Sequence, residues 1–241
     1  MREPNNVAGG SAKWHDISAE RFPGWIASFA VRHGVPASAG QESPPEKSLI
    51  ATVNSLSVTF VAPDGAVAEC HPPFPESMAP LEGTAGPADL VAAIAAHATT
   101  PRTVGVLLVR LGGYAAGVFT GYPAALKDAK AGSRPVHGRS AAGGWSQHRF
   151  ARRREKQASE ALAAAAGAAV MIFGRGPRLD AVVLGGDKRA VAELRDDPRL
   201  APYLALATGR FLTVPDPRRA VLEGTPKLFL AVKIRLTEPA A

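Results

Sequence analysis

Cysteine is almost missing from this chain, with Cys70 alone among 241 residues. A single thiol makes no internal disulfide and cannot by itself complete a cysteine-based zinc site, so a secreted disulfide scaffold is excluded. Long apolar runs are missing too. The longest, Ala158 to Phe173, is rich in alanine and is interrupted by Ser159, Glu160 and Gly167. It falls short of the roughly 18 uninterrupted apolar residues of a membrane span, and no membrane partner is expected. Met1–Lys13 lacks the apolar core of a signal peptide, which makes the cytoplasm the expected compartment. Familiar catalytic signatures are absent as well. There is no Gly-x-Ser-x-Gly nucleophile elbow, no Gly pair followed by Lys-Ser/Thr, and no evident base beside Ser140 or Ser146.

What is present is globular in composition, with 46% hydrophobic residues, 24 Gly and 21 Pro. The length suits one large domain or two small ones, at roughly 100–200 residues each. The formal net charge of +7 is unevenly spread: residues 1–100 hold 5 Lys/Arg against 10 Asp/Glu, and residues 101–241 hold 23 against 11. Only the second half is suited to meet a polyanion. Within it, Arg139, Arg149, Arg152, Arg153, Arg154 and Lys156 put six positive charges within eighteen residues, opposed only by Glu155. An arginine-rich composition would scatter such residues, whereas this density makes a patch.

The pattern along the chain predicts a mixed α/β protein. Pro23 followed by Trp25, Ile26, Phe29 and Ala30, with Gly34 as the stop, predicts a helix of about ten residues. Segments 48–61 and 66–71 flank Asp64-Gly65 and read as a β-hairpin, in which Cys70 is a packed small residue. An Ala-rich helix follows over 88–97. From Thr103 a near-continuous apolar run predicts a buried strand to Leu111, then strands over 114–120 and 124–130, a turn at Ala131-Gly132-Ser133 and a short return over 135–137. Residues 147–169 lack proline and make the strongest helix. A strand over 180–184, a helix over 188–194 capped by Asp187, a helix near 200–207 and strands over 210–214 and 228–236 complete the order. We therefore expect an acidic N-terminal α+β region, 1–100, and a basic α/β domain, 101–241. That boundary is soft, because 228–236 can also pair with the N-terminal hairpin.

Chemistry concentrates in residues 138–156. Paired glycines, Gly143-Gly144, open backbone angles closed to other residues and let a partner's backbone approach. They lead into a helix whose first turn has unpaired N–H groups suited to phosphates. Arg149, Arg152 and Arg153 share one helical face by their i, i+3, i+4 spacing. Basic residues at a helix start oppose the macrodipole, which makes sense where an anion is the neighbour. Trp145, in a polar loop, is placed either to anchor the loop or to stack on a nucleotide base. His137 and His148 flank the loop and read as ordinary histidines. Between residues 103 and 130 the only carboxylate is Asp128, too few for a two-metal nuclease, so no metal or other cofactor is expected.

The segment Gly143-Gly144-Trp145-Ser146-Gln147, the helix after it, and the later strand ending in Gly185-Gly186-Asp187-Lys188 resemble the catalytic domain of the eukaryotic and archaeal peptide-chain release factors. They resemble still more their relatives in ribosome quality control, among them an actinobacterial release-factor-like group of peptidyl-tRNA hydrolases. The resemblance covers residues 101–235. It implies an RNase H-like mixed sheet that carries the loop, with a long helix following. It also implies that a glutamine, here Gln147, is presented to the 3′ end of peptidyl-tRNA on the large ribosomal subunit. Gly143 and Gly144 carry over as backbone enablers, and Arg149, Arg152 and Arg153 as RNA contacts. The departure is the pair Trp145-Ser146, since in release factors proper the glutamine directly follows the glycines.

A neutral glutamine is no general base, but its amide can orient water and its backbone N–H can face a developing oxyanion. Ester hydrolysis and cleavage of the tRNA strand by a 2′-hydroxyl both suit these residues. The expectation is a peptidyl-tRNA hydrolase with Gln147, Gly143 and Gly144 at the chemistry. Arg139, Trp145, Arg149, Arg152, Arg153 and Lys156 would lie on RNA, the partners being peptidyl-tRNA and large-subunit ribosomal RNA, with no DNA. The alternatives are a non-catalytic ribosome- or RNA-binding factor and a hydrolase that needs no ribosome.

Overall fold

The computed structural model describes residues 12–34, 49–79, 81, 86–110, 112–133 and 146–239, with side chains for all of these except 146–155. The chain divides into two units, one of residues 1–99 and 230–241 and one of residues 100–229.

The first unit is built on a five-stranded antiparallel sheet in the order β1-β10-β4-β3-β2. Its strands are β1 (Lys13–Ile17), β2 (Ile50–Val53), β3 (Val58–Val61), β4 (Val67–His71) and β10 (Val232–Thr237). Alternate residues point inward, so Val58, Phe60, Ala68, Cys70, Val232, Ile234 and Leu236 are buried. Helix α1 (Phe22–His33) buries Phe22, Ile26, Phe29 and Ala30, a helical stripe, and α2 (Pro87–Thr99) buries Leu90, Val91, Ile94 and Ala98. The expected single strand over 48–61 is two strands, because Asn54 N–H donates to the Ser57 carbonyl at 2.8 Å and closes a turn between them. The last strand departs from the expected 101–241 grouping. It lies between β1 and β4, in the first unit, and the apolar alternation of residues 232–236 is what suits it to that interior position.

The second unit carries a mixed sheet in the order β7-β6-β5-β8-β9, with β6 antiparallel and the other four strands parallel to one another. Its strands are β5 (Arg102–Arg110), β6 (Gly113–Gly121), β7 (Ala125–Ser133), β8 (Ala181–Gly186) and β9 (Ala207–Leu212). This is the expected RNase H-like arrangement. The continuous burial of Val104–Val109 explains the unbroken apolar run, since both faces of β5 are covered. On one face Leu107, Val109, Ala116 and Val118 pack with Ala165, Ala166, Ala169, Ile172 and Phe173 of helix α3 (Ser146–Arg175). On the other, Phe119 meets Phe229 edge-on at 5.6 Å, and Leu222 fills the space above Gly117. Those two residues belong to α7 (Pro226–Phe229) and α6 (Arg219–Glu223), short helices that no sequence signal had marked.

Other boundaries shift for physical reasons. Helix α3 runs to Arg175 rather than Ala169, since Ile172 and Phe173 are still needed in the core, and Gly176-Pro177 follows. Its Lys156–Arg175 stretch is long and apolar enough to cross a membrane by length and composition alone. The apolarity is largely alanine, and its buried residues other than Ala168 belong to the sheet-covering cluster. Strand β7 continues through Gly132, where a turn was expected. The helix expected over 188–194 is α4 (Lys188–Leu194), and Asp187 caps it by accepting from the Arg189 and Ala190 amides. A four-residue helix, α5 (Ala201–Leu204), stands where 200–207 was expected, and β9 begins at Ala207 rather than Arg210. The short return expected over 135–137 lies outside the described residues.

Candidate functional site

Because β7 runs parallel to β5, its last residue shares an edge of the sheet with the carboxyl ends of β5 and β8. The register pairs Arg110 with Gly113 and Gly113 with Ser133, and pairs Val109 with Gly186. The chain leaves the sheet from this edge at Ser133 and returns as α3 at Ser146. Arg139, Gly143, Gly144 and Trp145 fall in between and lie outside the described residues, as does His137. For Gln147, His148, Arg149, Arg152 and Arg153 the backbone is helical, and their side chains lie outside the described residues. Lys156 is exposed.

The fully buried side chains described for helix α3 lie in its carboxyl-terminal half. Among its described side chains none from 156 to 164 is buried, whereas Ala165, Ala166, Ala168, Ala169, Ile172 and Phe173 are. Gln147 is the second residue of the helix, so its amide is one of the first four, which have no carbonyl one turn earlier to accept their protons. Positions 149, 152, 153 and 156 follow the i, i+3, i+4, i+7 row of a single helical face.

The remainder of the edge is tightly built. Gly186 has φ +101°, and a Cβ there would run into the Val109 carbonyl, to which Asp187 N–H donates at 2.7 Å. Asp187 spends one carboxylate oxygen on the amides of Arg189 (2.8 Å) and Ala190 (3.1 Å). Arg110 donates to the Val214 carbonyl at 3.3 Å and lies 3.8 Å from Asp216. Asp128, the carboxylate noted in the strands, accepts from the Ala129 amide at 2.8 Å.

Among the described residues no group of three or more His, Cys, Asp or Glu could hold a metal ion. Cys70 is buried in β4, where desolvation and then the Glu69 charge push its thiol pKa far up, which suits packing and not nucleophilic attack. At the opposite edge of the second sheet, burial lowers the Arg102 pKa, with the Asp180 charge opposing it. One residue that sequence reasoning missed stands at the root of the site. Tyr114 pairs across the sheet with Gly132, and the glycine that looked like a turn is a notch for its ring.

Comparison with known proteins gives a family. No curated protein matches the chain. Among solved structures, an archaeal translation termination factor, aRF1, aligns at 14% identity with a TM-score of 0.35, covering 69% of this chain and 48% of that one. This chain thus spans about half the length of that factor. The Vms1 mitochondrial localization core aligns at 10% identity and a TM-score of 0.31, covering 78% of each chain. These likenesses are weak, and the family model carries the assignment. It is described as the Actinobacteria/chloroflexi VLRF1 release factor, and it matches residues 102–235, more than half of the chain. That span includes the β5–β7 strands, the Gly143-Gly144 pair, Gln147 and all of α3, and the chain belongs to this release-factor family.

Proposed function

We propose that this protein is a peptidyl-tRNA hydrolase that frees nascent chains from tRNA on stalled large ribosomal subunits, with Gln147 at the reacting ester. The observation that carries the reading is the family match across the Gly143–Gln147 segment, together with the start of α3 at Ser146. Gly143 and Gly144 let the backbone approach the tRNA 3′ end. The Gln147 amide orients water, and its helix-start N–H faces the oxyanion that develops at the ester carbonyl. Arg139, Arg149, Arg152, Arg153 and Lys156 hold phosphates of tRNA or ribosomal RNA, and Trp145 stacks on a base. No resident metal or cofactor is invoked, because the ribosome and the terminal ribose supply the remaining groups.

The test is release from large subunits that bear a labelled peptidyl-tRNA, with the RNA product resolved. Gln147→Ala is expected to lower release on the order of 100-fold or more while binding to the subunit persists. Full-length tRNA among the products makes the step ester hydrolysis, and a shortened tRNA makes it strand cleavage. Wild-type release by Gln147→Ala overturns the assignment of the residue. Binding without any release by the wild-type chain moves the reading to a non-catalytic ribosome-binding factor.

A further inference from the structure

The candidate site hangs between two supports, the end of β7 and the start of α3, and Tyr114 stands where they join. It pairs with Gly132, one residue before the end of β7. A Cβ at Gly132 would lie 2.6 Å from the Tyr114 hydroxyl oxygen, 2.7 Å from Cζ and 2.9 Å from Cε1. Non-bonded atoms do not approach so closely, so the outer part of the ring fills the space that any side chain at 132 would need. Tyr114 shares its sheet face with Ala116 and Val118. It packs against the same cluster to which α3 contributes Ala165, Ala166, Ala169, Ile172 and Phe173. One ring thus touches the exit strand one residue before its end and packs against the core that holds the helix.

The mechanics of α3 make that junction matter. Leu162, half-buried, is the first described side chain of the helix that packs on that core, 15 residues beyond Gln147. At 1.5 Å per residue that separation is about 22 Å, and a tilt of roughly 5° would move Gln147 by about 2 Å. Misplacement of about 1 Å can cost on the order of 100-fold in rate.

We propose that Tyr114 is a positioning residue for release: its ring, seated in the notch left by Gly132, fixes the end of β7 against the core that holds α3, and so fixes where Gln147 is presented. The inference rests on the release reading above. The ring does this by packing, and the hydroxyl is dispensable.

The test uses the full-length chain and subunits loaded with labelled peptidyl-tRNA, comparing Tyr114→Phe, Tyr114→Leu, Gly132→Ala and Gln147→Ala. Tyr114→Phe is expected to release like the wild type. Tyr114→Leu, which keeps an apolar body but empties the notch, and Gly132→Ala, which fills it, are each expected to lower kcat by about tenfold or more. Their KM for the loaded subunit is expected to stay within about twofold of wild type. A second readout needs no activity. Spin labels at Lys127→Cys and Ala158→Cys report the strand–helix distance, and its distribution is expected to broaden in Tyr114→Leu and Gly132→Ala but not in Tyr114→Phe. Unchanged kcat in both Tyr114→Leu and Gly132→Ala, or an unbroadened distance in both, overturns the inference. If the wild type releases, Gln147→Ala does not, and these two variants release normally, this inference fails alone. If the wild type releases nothing, both readings fail.

Discussion

At the scale of single residues, the glycines separate into those the fold needs and those it merely tolerates. Gly186 combines a positive φ with a Cβ direction blocked by the Val109 carbonyl. Gly186→Ala is therefore expected to destabilise the second unit by about 3 kcal/mol or more, read as a lower urea midpoint. Gly167 lies inside α3 with open space around it, so Gly167→Ala is expected to stabilise by about 0.8 kcal/mol in the same experiment. The sequence made the Gly185-Gly186 stop and the Asp187 cap legible, because both signals are local. It made Gly132 read as a turn, because what occupies its missing side chain is Tyr114, 18 positions away in sequence and reached only by pairing.

A second residue-scale expectation concerns Asp64. One of its carboxylate oxygens accepts from the Ala66 amide at 2.9 Å, and the other lies 2.8 Å from His33 Nδ1, tying the end of α1 to the β3–β4 turn. Burial pushes this carboxyl's pKa up, but the Ala66 and His33 hydrogen bonds and the His33 charge outweigh it, and the net shift is below the ordinary 3.8. A depressed folded pKa means the contribution is present above about pH 4 and is lost as pH falls through the folded value. With the side chain 38% exposed, solvent discounts the interaction, and Asp64→Ala is expected to cost about 1 kcal/mol near pH 7. The difference from wild type should shrink toward zero by about pH 2, checked by urea unfolding across that range.

At the scale of elements, legibility followed locality. Strand β5 announced itself because both its faces are buried, and α3 because alanine, arginine, glutamate and glutamine crowd it without a proline. Helices α6 and α7 did not, since four or five residues carry too little periodicity, and their apolar members Leu222 and Phe229 acquire meaning only against Gly117 and Phe119. The row of positions 149, 152, 153 and 156 was readable from spacing alone. What spacing could not supply was which stretch of the helix enters the core, where the fully buried side chains described run from Ala165 to Phe173. The row itself yields an expectation for the proposed RNA contacts. Replacing Arg149, Arg152 and Arg153 by Gln should weaken RNA binding and reduce the slope of log affinity against log salt by about 2, at roughly 0.7–0.9 per phosphate lost. Filter binding from low to moderate salt measures it. An unchanged slope would place the RNA elsewhere on the molecule.

At the scale of the whole molecule, the chain completes its second unit before it completes its first. Strand β10 is made last, yet it is the second strand of the first sheet, and among the described residues β1 pairs with no other strand. Charge asymmetry located the change of character near residue 100, but charge says nothing about strand pairing, which is why that boundary was soft, and the last strand takes the alternative left open, pairing with β4 of the N-terminal hairpin. A chain ending at Phe229 tests the consequence. It would lose Val232, Ile234 and Leu236, buried to 5% exposure or less, each worth roughly 1.5–3 kcal/mol. It would also strand β1 and bare the hydrogen-bonding edge of β4. The combined loss rivals the roughly 5–15 kcal/mol by which a domain is stable, so the first unit should not fold. Every strand of the second sheet finds its partners within residues 100–229, and that unit should persist. Limited proteolysis is expected to digest residues 1–99 of the shortened chain while sparing a fragment near 100–229. Protection of both parts would mean that the first sheet holds without its second strand.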